Sequence, residues 1–299
     1  HEKKVFAIAF HPDGKRLLTA SEDHTARLWS TENGEPIGDI MRHDSWIKSA
    51  SFSPDGTRVL TAGGDGTARL WSAETGSPLG PPMRHMEKFV MGASFSPKGD
   101  RILTLTDGRV RSLWNVQKAN PKARRTGRGF GNVTAAFSPE GRWVASGLRW
   151  RNGPVRIFDA ATRERLPGNI LHKSGVWTLA FSPRGGHLVT GGEDGMLRFW
   201  DVASRQPLEI PPLEHEETVR DVAYSADGKI IATASRAARL WSATDGSPLS
   251  PPLVHPESVR DVALSRDGEI LVTACRDGST RVWSVKSAQE ILPPLGQGG

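Results

Sequence analysis

Six of the nine histidines, His1, His43, His85, His172, His215 and His255, stand four or five residues before a valine or isoleucine that opens an alternating apolar stretch. Imidazole at so even a spacing raises two kinds of chemistry, metal ligation and proton relay. One histidine per repeat lies a repeat's width from the next, and zinc needs its ligands together at about 2.0–2.1 Å, so the pattern reads as structural. No nucleophile stands beside a base, and no pair of carboxylates falls outside the repeat pattern. The sequence has no Walker loop, and the glycine-rich GRGFGN (residues 127–132) has no strand-to-helix context, so it reads as a connection between repeats. Cys275, the single cysteine, sits in LVTAC and reads as a small apolar filler of a strand. Neither a catalytic residue, a cofactor nor a metal is expected.

The elements that must position these side chains come from a period. Aligned on one aromatic, the chain carries Trp29, Trp71, Trp114, Phe158, Trp200, Trp241 and Trp283, at intervals of 42, 43, 44, 42, 41 and 42 residues. Seven copies of one unit mean stacked supersecondary modules, each unable to bury its faces alone. Within a unit, an alternating strand (VFAIAF, VWTLAF, VRDVAY) runs into HPDG, SPDG, SPKG, SPEG, SPRG, SADG or SRDG. Such turns place glycine at φ > 0 and close a hairpin. A second strand (RLLTAS, RVLTAG, HLVTGG) and an Asp/Gly turn lead to a third (TARLW). The fourth segment carries prolines, as in PLGPPM, PLEIPPL and PLSPPL, which lack the N–H a central strand donates. It therefore belongs at an outer edge, where proline also blunts pairing with other chains.

SPDG, LTAGGDGTARLW and the histidine before each first strand resemble the WD-repeat (WD40) β-propellers over the whole chain. The dipeptide itself survives only at Trp200 and Asp201, with Phe158 and Asp159 close to it. The resemblance implies an all-β, seven-bladed propeller with four antiparallel strands per blade. It spans 1–299 as a single domain, with blades at about 1–42, 43–84, 85–129, 130–171, 172–214, 215–254 and 255–299. Every blade reads as contiguous, so two forms of closure are expected as alternatives: side-chain packing with no strand shared between first and last, or a preceding strand that lies outside this sequence.

The resemblance further implies a buried network in each blade that joins the histidine to a second-strand Ser/Thr, the turn aspartate and the third-strand tryptophan. Those sets are His1, Thr19, Asp23 and Trp29; His43, Thr61, Asp65 and Trp71; His172, Thr190, Asp194 and Trp200; and His255, Thr273, Asp277 and Trp283. Blade 3 offers His85, Thr104, Asp107 and Trp114. Blade 4 has no histidine, has Asn152 in a longer turn and replaces the tryptophan by Phe158, and blade 6 drops the aspartate in TASRAARLW. Blades 4 and 6 are therefore expected to be the loosest.

Partners of the family commonly meet the residue after the first-strand valine and the residue before the turn aspartate. In this chain the first set is Phe6, Lys48, Met91, Val133, Trp177, Arg220 and Arg260, and the second includes Glu22, Gly64, Thr106, Glu193 and Arg276. Trp46 and Phe89 lie one position before the valine equivalents. Aromatics, methionine and arginine are the types enriched at interface hot spots. The aromatics equally suit plugging a channel mouth or packing between blades.

Charge is uneven. The chain carries 39 Lys+Arg against 33 Asp+Glu, and residues 98–166 alone hold fifteen basic residues against five acidic ones. KANPKARRTGR with Arg142, Arg149, Arg151, Arg156, Arg163 and Arg165 could meet phosphates. Aromatic side chains do not interleave with it, and arginine outnumbers lysine by 28 to 11 throughout, so a solvated face is the favoured reading. Apolar residues make up 37%, with no run near the roughly 18 that cross a bilayer, so no membrane span is expected. The expected function is a non-enzymatic protein–protein interaction, sensor or scaffold domain that takes a protein or peptide on its loop face. It is expected to be monomeric, cytoplasmic and of bacterial type, and to be excised from a larger protein, since the chain begins at His1. Anion or nucleic-acid binding through blades 3 and 4 is the second reading, and a lyase or hydrolase with clustered acids in the channel is the third.

Overall fold

In the computed structural model the described residues are 1–85, 89–106, 110–116, 124–128, 132–148, 153–162 and 164–295. Asp107, Lys118, Lys122, Gly129, Arg149, Arg151, Asn152 and Arg163, all named above, lie outside them. The first strands are Val5–Phe10, Ile47–Phe52, Val90–Phe95, Asn132–Phe137, Val176–Phe181, Asp221–Tyr224 and Val259–Leu264. Each opens an antiparallel meander, and the seven sheets follow one another along the sequence without crossovers. None of the described residues forms a helix, and no helix is long and apolar enough to cross a membrane. The first sheet (residues 5–42) and the last (residues 259–295) are each contiguous, so neither borrows a strand from the other.

The turn chemistry explains the hairpins. In SPDG of blade 2, Gly56 stands at φ +73° and its N–H reaches the Ser53 carbonyl at 2.8 Å. Asp55 accepts from the Ser53 hydroxyl and from the Thr57 N–H, and those donors hold its carboxyl below the ordinary range. The fourth segments differ among blades, and blade 7 keeps a six-residue strand, Glu290–Leu295, that contains Pro293 and Pro294. Blade 1, whose PIGDIMR has no Pro-Pro, keeps a seven-residue strand, Pro36–Arg42. Blades 2, 4 and 5 keep two-residue strands, Met83–Arg84, Ile170–Leu171 and Leu213–Glu214. In blade 6 the segment is reduced to the bridges Trp241↔Pro248 and Ala238↔Leu253, leaving three named strands where four were expected. The Pro-Pro pair interrupts donation there.

The chain packs as two compact units. One comprises His1–Gly129 with Ala274–Arg281 and Leu292–Gly299, and the other comprises Phe130–Thr273 with Val282–Ile291. Within the first, Leu18 and Leu28 of blade 1 are buried against Ile47, Val59 and Trp71 of blade 2. Leu60, Ala68 and Met83 of blade 2 in turn meet Val90, Ile102 and Trp114 of blade 3. Within the second, Val155 and Ile157 pack on Val176, Leu188 and Trp200, and Val189, Leu197 and Phe199 pack on Val219, Ile231 and Trp241. The core therefore lies between successive blades, and this is why one phrase must recur: each sheet covers its neighbour. Cys275 is fully buried in a second strand, as a filler would be.

Candidate functional site

The repeated polar residues meet inside the blades. In blade 2 the Trp71 indole N–H donates to Thr61 Oγ1 at 2.7 Å, and His43 Nε2 stands 2.7 Å from the same hydroxyl. His43 Nδ1 faces Asp65 Oδ2 at 2.9 Å; a carboxylate has no proton to give, so the imidazole donates. Thr67 adds its hydroxyl and its N–H to Asp65 Oδ1 at 2.7 and 3.0 Å. Burial opposes the charge on Asp65, but the His43 contact and the two Thr67 donors outweigh it and hold the carboxyl far below its ordinary value. Blade 1 repeats the arrangement with His1, Thr19, Asp23 and Trp29, at 2.8 Å from His1 to Asp23 and 2.7 Å from Trp29 to Thr19.

Other blades use different partners. In blade 5, Trp200 donates to Thr190 at 2.8 Å, but His172 Nδ1 faces the Ser174 hydroxyl at 3.1 Å and its Nε2 faces Arg198 Nη1 at 3.1 Å. Arg198 also holds Asp194 at 2.8 Å. Blade 2 has the matching pair, Arg69 to Asp65 at 3.1 Å, with Arg69 also reaching Asp44 at 3.3 Å, whereas blade 5 has Lys173 in the Asp44 position and Arg198 also reaches the histidine. Burial and the nearby Arg198 charge push His172 down to about 4. In blade 6, with no aspartate, His215 keeps Thr233 at 2.8 Å and turns Nδ1 to the Gly195 and Leu213 carbonyls, both at 3.2 Å. Burial pushes His215 to about 4 as well. His255 in blade 7 places Nδ1 2.8 Å from the Leu253 carbonyl and Nε2 2.8 Å from Thr273, which also takes the Trp283 N–H at 3.0 Å. Asp277 accepts from Ser279 within its own turn. In blade 3 Trp114 donates to Thr104 at 2.8 Å, with the His85 ring 5.1 Å from the indole. Blade 4, with no histidine and with Phe158 in place of the third-strand tryptophan, leaves the buried Ser146 hydroxyl with no partner among the described residues.

The partner candidates share a backbone feature that periodicity does not display. In blades 1, 2, 3, 4 and 5 the ladder between first and second strands slips at one residue, passing over Phe6, Lys48, Met91, Val133 and Trp177. Each is thus the extra residue of a bulge, a device that re-aims a side chain away from the sheet. In the first unit Lys48 Nζ stands 4.3 Å from the centre of the Phe6 ring, and Trp46 meets Phe89 at 5.5 Å between centroids. Gly64 is the seat of Trp46, because a Cβ there would fall 2.5 Å from the indole. In the second unit the Arg220 guanidinium lies 5.5 Å from the Trp177 ring. Phe6, Trp46, Lys48, Phe89, Met91, Trp177, Arg220 and Arg260 are all half-buried, and Arg276 is exposed. Half-burial in cation–aromatic and aromatic pairs leaves apolar faces to solvent on prepositioned side chains. The remaining chemistry is sparse: among the described residues no three His, Cys, Asp or Glu side chains converge as metal ligands.

Sequence reasoning passed over Asp221, Asp261 and Ser49, which sit one position beyond the bulge register. The repeated VRDV of blades 6 and 7 was the available signal.

Seven β-meander blades, each pinned by a tryptophan-to-threonine bond or its remnant, define a WD-repeat β-propeller. A family model described as the IFT122 first beta-propeller matches residues 4–284, and the chain belongs to that family. Human WD repeat-containing protein 86 is 45% identical over 47 residues, 16% of this chain and 12% of that protein. SEC12-like protein 1 of Arabidopsis thaliana is 39% identical over 74 residues, 24% of this chain and 18% of that protein. The B-type cell cycle switch protein ccs52B of Medicago truncatula is 31% identical over 135 residues, 43% of this chain and 27% of that protein. The chain thus spans 12% to 27% of the length of these three curated relatives. All three are eukaryotic, and the expected bacterial type gains no support from them.

Proposed function

We propose that this chain is a non-catalytic interaction module that holds a protein or peptide partner on the side chains raised by its first-strand bulges. WD-repeat propellers generally bind protein partners, which supports the class. The observation that carries the particular surface is the bulge itself. Five blades spend ladder pairing at one and the same register, and the residues so freed are Phe6, Lys48, Met91, Val133 and Trp177. Spending pairing there without a ligand would be cost without return. The Trp46–Phe89 pair and Arg220 beside Trp177 extend the surface within each unit with the types that dominate interface energetics. As in the reading from sequence, the module is proposed to be cytoplasmic, monomeric by itself and part of a larger protein.

The test is selection of a random peptide library on the immobilised chain. Peptides that bind the wild type and not a Trp46→Ala/Trp177→Ala variant support the reading. Peptides indifferent to both substitutions place recognition elsewhere and contradict it.

A further inference from the structure

Blade 6 keeps one half of a charge pair that other blades complete. An arginine two residues before the third-strand aromatic recurs as Arg27, Arg69, Arg156, Arg198, Arg239 and Arg281. In blade 5 Arg198 grips the turn aspartate as a fork, with Nη1 donating to Asp194 Oδ1 at 3.3 Å and Nη2 to Oδ2 at 2.8 Å. In blade 2 Arg69 reaches Asp65 at 3.1 Å. Blade 6 spells TASRAARLW where blade 2 spells TAGGDGTARLW, so Arg236 and Ala237 stand in place of Gly64, Asp65, Gly66 and Thr67. The frame survives the deletion, because Trp241 still donates to Thr233 at 3.0 Å, across eight residues rather than ten. Arg239 is half-buried with its guanidinium 5.6 Å from the centre of the Trp241 ring, and among the described residues it has no hydrogen bond and no ion pair.

The surroundings supply no acid in its place. The shortened turn brings a second cation, Arg236, whose Nη1 donates to the His255 carbonyl at 3.4 Å. Glu216 follows His215 in the register of Asp44, yet it is exposed and makes no ion pair with Arg239. Glu217 takes the Ser258 hydroxyl at 3.0 Å. Burial, and after it the charge of Arg239, hold His215 neutral beside this site. The turn also lies at the same end of the blade as the partner candidates: Arg220, which sits by the Trp177 ring, donates its N–H at 2.8 Å to the carbonyl of Ala234, two residues before Arg236.

We propose that Arg239 anchors a carboxylate of the bound partner, so that an aspartate or glutamate of the peptide completes in trans the pair that Asp65 and Asp194 complete within their own blades. This rests on the partner reading above and names the chemistry such a partner must carry. A guanidinium fork matches the two oxygens of a carboxylate, the group that blades 2 and 5 place at this register. Arg236 in the turn repels a cationic side chain from the same place.

N-acetylglutamate added to the full chain probes the anchor without any partner. The Arg239 Nε–H NMR signal, identified by its loss in Arg239→Gln, should shift saturably and at least about fivefold more than that of Arg69, whose fork is filled. N-acetylglutamine should shift neither. Replacing Arg236 and Ala237 by Gly-Asp-Gly-Thr supplies the acid in cis and should abolish the shift. No shift at Arg239, equal shifts at Arg69 and Arg239, or a shift that persists in the turn replacement would overturn the proposal. A shift seen only in Glu216→Gln would mean that Glu216 fills the fork in cis, and would overturn it too. With library-selected peptides, exchanging the peptide's acid for its amide should weaken binding about tenfold to the wild type and less than about twofold to Arg239→Gln. Peptides that need Trp46 and Trp177 but ignore this exchange overturn the anchor alone. Peptides that obey the exchange and ignore both tryptophans overturn the bulge surface alone.

Discussion

His43 donates to Asp65 across 2.9 Å with the histidine side chain fully enclosed and the aspartate only 5% exposed. An ion-pair-like contact so far from water is costly to break from one side, because the remaining partner keeps its desolvation and loses its compensation. Asp65→Asn is expected to destabilise the chain by about 1–3 kcal/mol at neutral pH, read from denaturant unfolding. The sign of its pH dependence follows from the depressed carboxyl. The Asp65 contribution is present above the ordinary carboxylate range and is lost as pH falls below it, so the variant should lose part of the wild type's acid sensitivity.

The histidines of blades 5 and 6 act at milder acidity. Both sit near 4 against an ordinary 6.5, so the unfolded chain takes up protons that the folded chain refuses. Stability is fully present above 6.5 and declines as pH falls from 6.5 toward 4, by on the order of 3 kcal/mol for each group. Thermal midpoints recorded down this range should drop in the wild type and drop less in His215→Gln. Equal slopes would show that His215 is not held neutral.

Blade 4 gives the opposite response to truncation. Thr61→Ala removes the hydroxyl that accepts from Trp71 and donates to His43 Nε2, and is expected to cost about 1–3 kcal/mol. Ser146→Ala removes a buried hydroxyl with no partner among the described residues and is expected to be neutral or stabilising. Amide exchange should likewise find blades 4 and 6 less protected than blades 2 and 7, and equal protection would contradict the ranking.

The seat of Trp46 is a test of prepositioning. Gly64→Ala drives a methyl into the indole, so Trp46 must leave its place beside Phe89. Quenching of tryptophan fluorescence by acrylamide should rise in this variant with little change in unfolding midpoint, because the displaced ring is half-buried and outside the core. An unchanged quenching constant would mean that Trp46 has room to remain.

The period, the hairpins and the proline-bearing edge could be read from sequence because they rest on local chemistry: glycine at positive φ, alternation, and the missing N–H of proline. The Trp71-to-Thr61 bond and the His43 contact followed from the resemblance to WD-repeat propellers, not from the spacing itself. What sequence did not display was set by neighbours one blade or one residue away. Arg198 reaches His172 as well as the turn aspartate Asp194, a contact the repeat pattern does not mark. Backbone carbonyls meet His215, whose blade lacks a turn aspartate, and His255, for which Asp277 was expected. The bulges that raise Phe6, Lys48, Met91 and Trp177 are register slips, which alternation of apolar residues does not mark.

Titration calorimetry with a library-selected peptide tests the central claim most directly. Affinity should fall about tenfold or more, by at least about 1.4 kcal/mol, in Trp46→Ala and in Trp177→Ala, and stay within twofold in Leu171→Ala on an outer edge. Equal affinities for all four proteins, or a loss confined to Leu171→Ala, would contradict a partner surface built on the first-strand bulges.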